Sequence, residues 1–190
     1  MIRINSLKII ENEHLYGPGK RLLIFLQGCS LHCVGCINKE LWPFVGGETV
    51  ESKEILDICV KERLEGITLH GGEPLDQSEG LVELVELLKK EKKTIILFTG
   101  YAKKELNKTQ IKIWDNSDIV VAGRFIKDKV NVNLQFRGST NQKVYTHKGP
   151  YKNYKVNDGF TTAIVTINDN GTMEVNGFLT DDIKRLTGIK

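Results

Sequence analysis

Short apolar or β-branched runs alternate along the chain with longer stretches whose apolar residues recur every three or four positions. Arg21 to Gln27, Gly66 to His70, Thr94 to Thr99 and Asp118 to Ala122 have the length and make-up of strands. Between them, Ser52 to Arg63, Ser78 to Lys93 and Ala102 to Ile113 carry helical spacing, as in the stripe Leu81, Leu84, Val85 and Leu88. The resulting β-α-β-α-β-α-β order predicts right-handed crossovers and a parallel sheet, with the chemistry on loops after the strands' carboxyl ends. Four turn-rich segments fall there. A cysteine loop follows the first strand, Gly71-Gly72-Glu73-Pro74 the second, Thr99-Gly100-Tyr101 the third and Gly123-Arg124-Phe125 the fourth. Parallel strands carry all four to one rim, and that convergence predicts a single site.

From about Gly149 the pattern changes. Thr161 to Ile167 and Thr172 to Asn176 flank Asn168-Asp169-Asn170-Gly171, a strong hairpin signal, and a short helix is expected from Thr180. This stretch has no cluster of Cys, His or acidic residues at catalytic spacing, so its expected role is packing or docking. Two units are therefore expected, a main domain over 1–148 and an appendage over 149–190.

Composition narrows the class without naming a partner. The 190 residues are 40% hydrophobic and 27% charged, ordinary for a globular protein, which excludes wholesale disorder and fibrous repeats. A net charge of +3 is too small a surplus to predict a nucleic-acid or anionic-membrane surface. Met1 to His14 interleaves apolar residues with Arg3, Asn5, Lys8 and Glu11, unlike the unbroken apolar core of a signal peptide. Runs such as Leu22 to Leu26 and Thr94 to Phe98 fall short of the roughly 18 residues that span a bilayer. A cytoplasmic location is expected.

In that compartment cysteines serve metals or redox chemistry more often than disulfides. Cys29, Cys33 and Cys36 form a C-x3-C-x2-C run, whereas Cys59 stands alone in a helical segment and reads as a buried small hydrophobe. Structural zinc and most iron-sulfur carriers take four protein ligands, so three thiolates leave one coordination position open. A 4Fe-4S cluster held this way presents one iron to the amino and carboxylate groups of S-adenosylmethionine. The competing reading is a zinc site completed by His32, His14 or Cys59. Gly71 and Gly72 expose backbone and Glu73 offers a carboxylate to a ligand ammonium, although such a segment is also a common turn. Thr99 and Gly100 stand similarly between ligand contact and ordinary turn.

These residues resemble the radical S-adenosylmethionine superfamily and, within it, the small activating enzymes of anaerobic, class III ribonucleotide reductase. The resemblance runs through Gly17-Pro18-Gly19-Lys20-Arg21, Gln27-Gly28-Cys29, Gly35 before the third cysteine with Asn38 behind it, and Gly71-Gly72-Glu73-Pro74-Leu75. It continues through Thr99-Gly100-Tyr101 to Arg137-Gly138-Ser139-x-Asn141-Gln142, the most family-specific match, and covers roughly the first 147 residues. The expected fold is α/β, a partial (βα) barrel with a mostly parallel sheet and a small C-terminal β-hairpin appendage.

The resemblance implies that Cys29, Cys33 and Cys36 ligate the cluster and that Gly35, Ile37, Gly71, Gly72, Glu73 and, less directly, Thr99 border S-adenosylmethionine. It implies reductive cleavage of that cofactor and a glycyl radical on the partner reductase, with flavodoxin or ferredoxin as electron donor. Arg137 and the residues around Asn141 are either rim or framework. Ala122, where related activases often place Asp, and Ile37, where an aromatic residue is common, depart from the pattern. Two alternatives remain at this level: a radical enzyme modifying another protein, peptide or small molecule, and a non-enzymatic metal-binding or electron-carrier protein.

Overall fold

The computed structural model describes residues 1–11, 14–146, 149–159, 163–167, 169, 171–177 and 185. Its elements in chain order are β1 (Ile2–Glu11), β2 (Lys20–Leu26), β3 (Glu48–Val50), α1 (Ser52–Lys61), β4 (Gly66–Gly71) and α2 (Ser78–Lys90). They continue as β5 (Thr94–Thr99), α3 (Lys108–Asn116), β6 (Ile119–Ala122), β7 (Lys143–Tyr145), β8 (Ala163–Ile167) and β9 (Met173–Gly177). The four expected strands are β2, β4, β5 and β6, and they pair in parallel as the centre of a seven-stranded sheet ordered β3-β1-β2-β4-β5-β6-β7.

The sheet's edges are antiparallel. β1 runs against β2 and β3, and β7 runs against β6. The alternation in Met1 to His14 is that of an edge-proximal strand whose Ile2 and Ile4 are fully buried. The third expected helix starts later than Ala102. A short 3-10 turn at Lys103–Glu105 intervenes, and α3 begins after Asn107, whose side chain accepts from Gln110 N while Gln110 accepts from Asn107 N. That reciprocal cap satisfies two donors which a helix begun at Ala102 would leave to other partners.

Because successive strand side chains point to opposite faces, the register sorts the sheet into two environments. Leu22, Ile24, Leu26, Ile67, Leu69, Ile95, Leu97 and Val120 share one face and pack with Ile55 and Cys59 of α1, Leu81, Leu84, Val85 and Leu88 of α2 and Ile113 and Trp114 of α3. Each fully buried aliphatic side chain there contributes about 1.5–3 kcal/mol. Cys59 is one of them, and burial pushes its thiol up to about 11. It is a core residue with no route to the cysteine loop.

The opposite face carries Arg21, Leu23 and Phe25 of β2, Thr68 and His70 of β4, Ile96 and Phe98 of β5, and Ile119 and Val121 of β6. Helices on one face and a half-open lumen on the other are the arrangement of a partial (βα) barrel. Arg21 closes the lumen's lower end. It is fully buried and donates to Thr68 Oγ1, Thr94 Oγ1, Tyr151 Oη and the carbonyls of Pro18, Ile67 and Thr94, at 2.7–3.3 Å. Burial lowers its pKa to about 10, so it stays charged near neutrality.

Tyr151 and Tyr154 pack with Phe136, Ile96, Ile119 and Val121 in a second cluster, which ties their segment to the main sheet through two tyrosines. β8 and β9 pair with each other in a separate two-stranded sheet, with Ile167 opposite Met173. Of the helix expected from Thr180, only Arg185 is among the described residues, and it is helical. Among the described residues, no helix is long and apolar enough to cross a membrane.

Candidate cluster and cofactor site

The cysteine loop leaves β2 and its start is held against Leu41 and Trp42. Gly28 N donates to Leu41 O at 2.8 Å, and Cys29 N to Trp42 O at 3.0 Å. Ser30 donates through its backbone N and its hydroxyl to the two oxygens of Asp76, at 2.7 and 3.0 Å, and Tyr101 Oη reaches the same carboxylate at 2.9 Å. The cysteine loop, the Gly-Gly-Glu-Pro loop and the loop after β5 are thereby tied through one acid. Asp76 was not singled out by sequence. Its signal is an acid two residues beyond Pro74, which resembles any exposed carboxylate until the loops meet.

The second loop approaches the first along its backbone. Gly72 N donates to Leu26 O at 2.8 Å and Glu73 N to Gly28 O at 2.9 Å. A Cβ on Gly72 would collide with Gly28 O, so only glycine lets these segments touch. Glu73 is 2% exposed. Its Oε1 accepts from Thr99 Oγ1 at 2.7 Å and Leu75 N at 3.0 Å, and its Oε2 from Gly100 N at 2.7 Å. Burial pushes its carboxyl up to about 7 against the pull of those donors. The carboxylate expected to await a ligand ammonium is thus already a clamp between the loops after β4 and β5, while still bordering the cavity.

Beneath the loops lies a cavity of about 840 Å³, within the usual range for small-molecule sites. Cys29, Cys33, Cys36, Ile37, Gly71, Gly72, Glu73 and Thr99 all line it. Gly35 is absent from its lining. With φ +82° and a Cβ position 3.2 Å from the Lys127 side chain, Gly35 instead lets the loop turn tightly against the segment after β6. Burial raises the thiol pKa of Cys29 and of Cys33.

The cavity floor is aromatic. His70 lies 4.7 Å from Phe98, 5.4 Å from Phe25 and 5.6 Å from Tyr16, centroid to centroid. Its Nδ1 accepts from Gly71 N at 2.7 Å, so the neutral ring carries its proton on Nε2. Burial lowers its pKa to about 4, which keeps it neutral. Gln142 and Asn141 form a clasp: Gln142 accepts from Gly138 N and Ser139 N and donates to Gly123 O, and Asn141 donates to Arg124 O. Arg137 lines the cavity and is paired with Asp158 at 2.6 Å.

The sequence is similar to those of named proteins. Residues 15–145 match the family described as "4Fe-4S single cluster domain". The anaerobic ribonucleoside-triphosphate reductase-activating protein of Haemophilus influenzae is 32% identical over 154 residues, covering 76% of this chain and 99% of the relative. The chain belongs to this activating-protein family. The Escherichia coli K12 protein of the same name is 35% identical over 138 residues, covering 68% of this chain and 90% of its own. The phage T4 protein of that name is 30% identical over 151 residues, covering 76% and 95%. QueE from Escherichia coli aligns over 52% of each chain at 22% identity and a TM-score of 0.44, too loose a likeness to add weight.

The residues of this activating-protein family member suit a multi-iron centre. All three loop cysteines are free thiols opening on one cavity. Among the described residues, no three His, Cys, Asp or Glu side chains converge tightly enough to hold one metal ion. A cubane needs no such convergence, since each thiolate meets a different iron. The zinc reading loses Cys59 as a fourth ligand, because that thiol is sealed under α1.

Proposed function

We propose that this chain activates an anaerobic ribonucleoside-triphosphate reductase, with Cys29, Cys33 and Cys36 as ligands of a 4Fe-4S cluster. Gly71, Gly72, Glu73, Thr99 and Ile37 border S-adenosylmethionine, and flavodoxin or ferredoxin supplies the electron. Held by Cys29, Cys33 and Cys36, the reduced cluster would supply the single electron that reductive cleavage of S-adenosylmethionine requires, and that cleavage would supply the radical chemistry directed at a glycine of the reductase. The observation that carries this reading is the opening of all three free thiols onto the cavity bordered by the Gly-Gly-Glu loop.

The chain's own residues bind, orient and exclude water. Cys29 and Cys33 begin as protonated thiols and give up their protons when metal binds, so assembly favours higher pH. Gly71 and Gly72 border the cavity where the methionine end of the cofactor would lie, and their missing side chains let this loop pack directly on Phe25, Leu26 and Gly28. Glu73 holds the loops after β4 and β5 at a fixed spacing and contributes its carboxylate edge to the cavity wall. Phe25, Phe98 and Tyr16 keep the floor dry, and neutral His70 presents a donor without adding charge. The test is anaerobic mixing of reconstituted protein, S-adenosylmethionine, reductant and reductase, read by electron paramagnetic resonance. A glycyl-radical signal on the reductase is expected, and its absence in the presence of 5′-deoxyadenosine formation would refute the assigned substrate.

A further inference from the structure

The region matched by the 4Fe-4S family ends at residue 145, yet the chain's later residues reach the cavity: Asn157 and Gly177 both line it. Gly177 is the last residue of β9, so one end of the β8–β9 hairpin stands at the cavity wall. A two-stranded hairpin is marginally stable by itself and ordinarily needs a third strand or a packed face. Here the sheet has two strands among the described residues, and Val165, Ile167 and Met173 are 41%, 71% and 42% exposed. Val165 and Ile167 point to the same side of β8, and the register sets Met173 opposite Ile167 on that side. Thr166 is exposed on the other side.

We infer that the β8–β9 hairpin is the docking strand pair for the substrate polypeptide, receiving an extended glycine-bearing segment of the reductase that continues past Gly177 into the cavity. The inference rests on the function proposed above. Three observations select this occupant. The apolar stripe is exposed among the described residues, a sheet edge binds extended backbone through sequence-independent hydrogen bonds, and β9 ends at Gly177 in the wall of the cavity in which a glycine Cα must be placed. Anchorage follows from the same segment: Arg137 pairs with Asp158, Gln135 N donates to Asp158 Oδ1, Asn157 N donates to Gln135 Oε1, and Gly159 N donates to Asn133 O.

The experiment uses the full chain with its reconstituted cluster and the purified cognate reductase. The double substitution Val165→Lys and Ile167→Lys is expected to raise the reductase concentration for half-maximal glycyl-radical formation at least about tenfold. Partner-free 5′-deoxyadenosine formation with dithionite should stay unchanged. Thr166→Lys, on the other side of the same strand, should leave both unchanged. Hydrogen exchange of the wild-type β8 and β9 amides should slow when reductase is added.

An unaltered reductase dependence in the double variant, an equal loss in Thr166→Lys, or unprotected hairpin amides would overturn the inference. Loss of self-association with no change toward reductase would also overturn it, assigning the stripe to a second copy of the chain. A wild-type protein that cleaves S-adenosylmethionine but places no radical on the reductase would instead sink the proposed function.

Discussion

The two faces of the central sheet are built from the same strands, yet they are made of different materials. Toward the helices, Leu22, Ile24, Ile67, Leu69, Ile95, Leu97 and Val120 form an aliphatic layer whose contribution is burial alone. Toward the lumen, the alternate positions hold Arg21, Thr68, His70, Phe25 and Phe98, where buried polar atoms need partners and aromatic edges shape a cavity. One face tolerates any well-fitting aliphatic residue, while the other has hydrogen bonds and ring contacts that a substitution leaves unmet. The four loops that make the site rest on that second face, so its specificity is what the function depends upon.

The largest expected effect lies in the loops above the lumen. Cys33→Ala leaves two loop thiolates and should abolish stable cluster binding and S-adenosylmethionine cleavage, as read by iron content and 5′-deoxyadenosine yield. Cys59→Ala, on the aliphatic face, should keep both while lowering stability. If the two variants behaved alike, the division between faces would fail.

Arg21→Met removes the guanidinium that satisfies Thr68, Thr94, Tyr151 and three carbonyls. The orphaned groups should cost at least about 3 kcal/mol in urea unfolding. An aliphatic exchange of similar volume on the helix side, Leu69→Met, should cost less than about 1.5 kcal/mol.

Glu73→Gln puts an amide where three donors converge, with an expected loss of about 1–3 kcal/mol and slower S-adenosylmethionine cleavage. The wild-type carboxyl also gives a pH signature. Burial raises its folded pKa to about 7 from an unfolded value near 4.5, so the folded form binds more protons between those values. This contribution to stability is full below the unfolded pKa and is lost as pH rises through about 7, and Glu73→Gln should flatten that slope in apo-protein unfolding. The smallest effect belongs to the rim, where half-exposed Asp158 pairs with Arg137. Asp158→Asn should change stability by less than about 1 kcal/mol.

The same contrast explains what could be read from the chain. The aliphatic face was legible, because its strands and the stripe Leu81, Leu84, Val85 and Leu88 follow simple periods. The three loop cysteines were legible by spacing and all border one cavity, as do Ile37, Gly71, Gly72, Glu73 and Thr99. β1 was hidden because its pairing with β2 and β3 depends on residues far apart in sequence. β7 is three residues long and offers no period to count. The role of Arg21 was hidden because a lone charge beginning a strand looks exposed until the lumen closes around it. Glu73 turned inward to Thr99 and Gly100, and Gly35 turned toward Lys127, since loop contacts depend on which neighbours the fold supplies.

The site stands or falls on three cysteines of one loop holding a cluster that serves S-adenosylmethionine. Anaerobic reconstitution followed by metal analysis and a 5′-deoxyadenosine assay under reduction tests it most directly. About four irons per chain are expected, with product that forms only when reductant is present. Stoichiometric zinc, or a full iron complement that leaves S-adenosylmethionine intact, would contradict it.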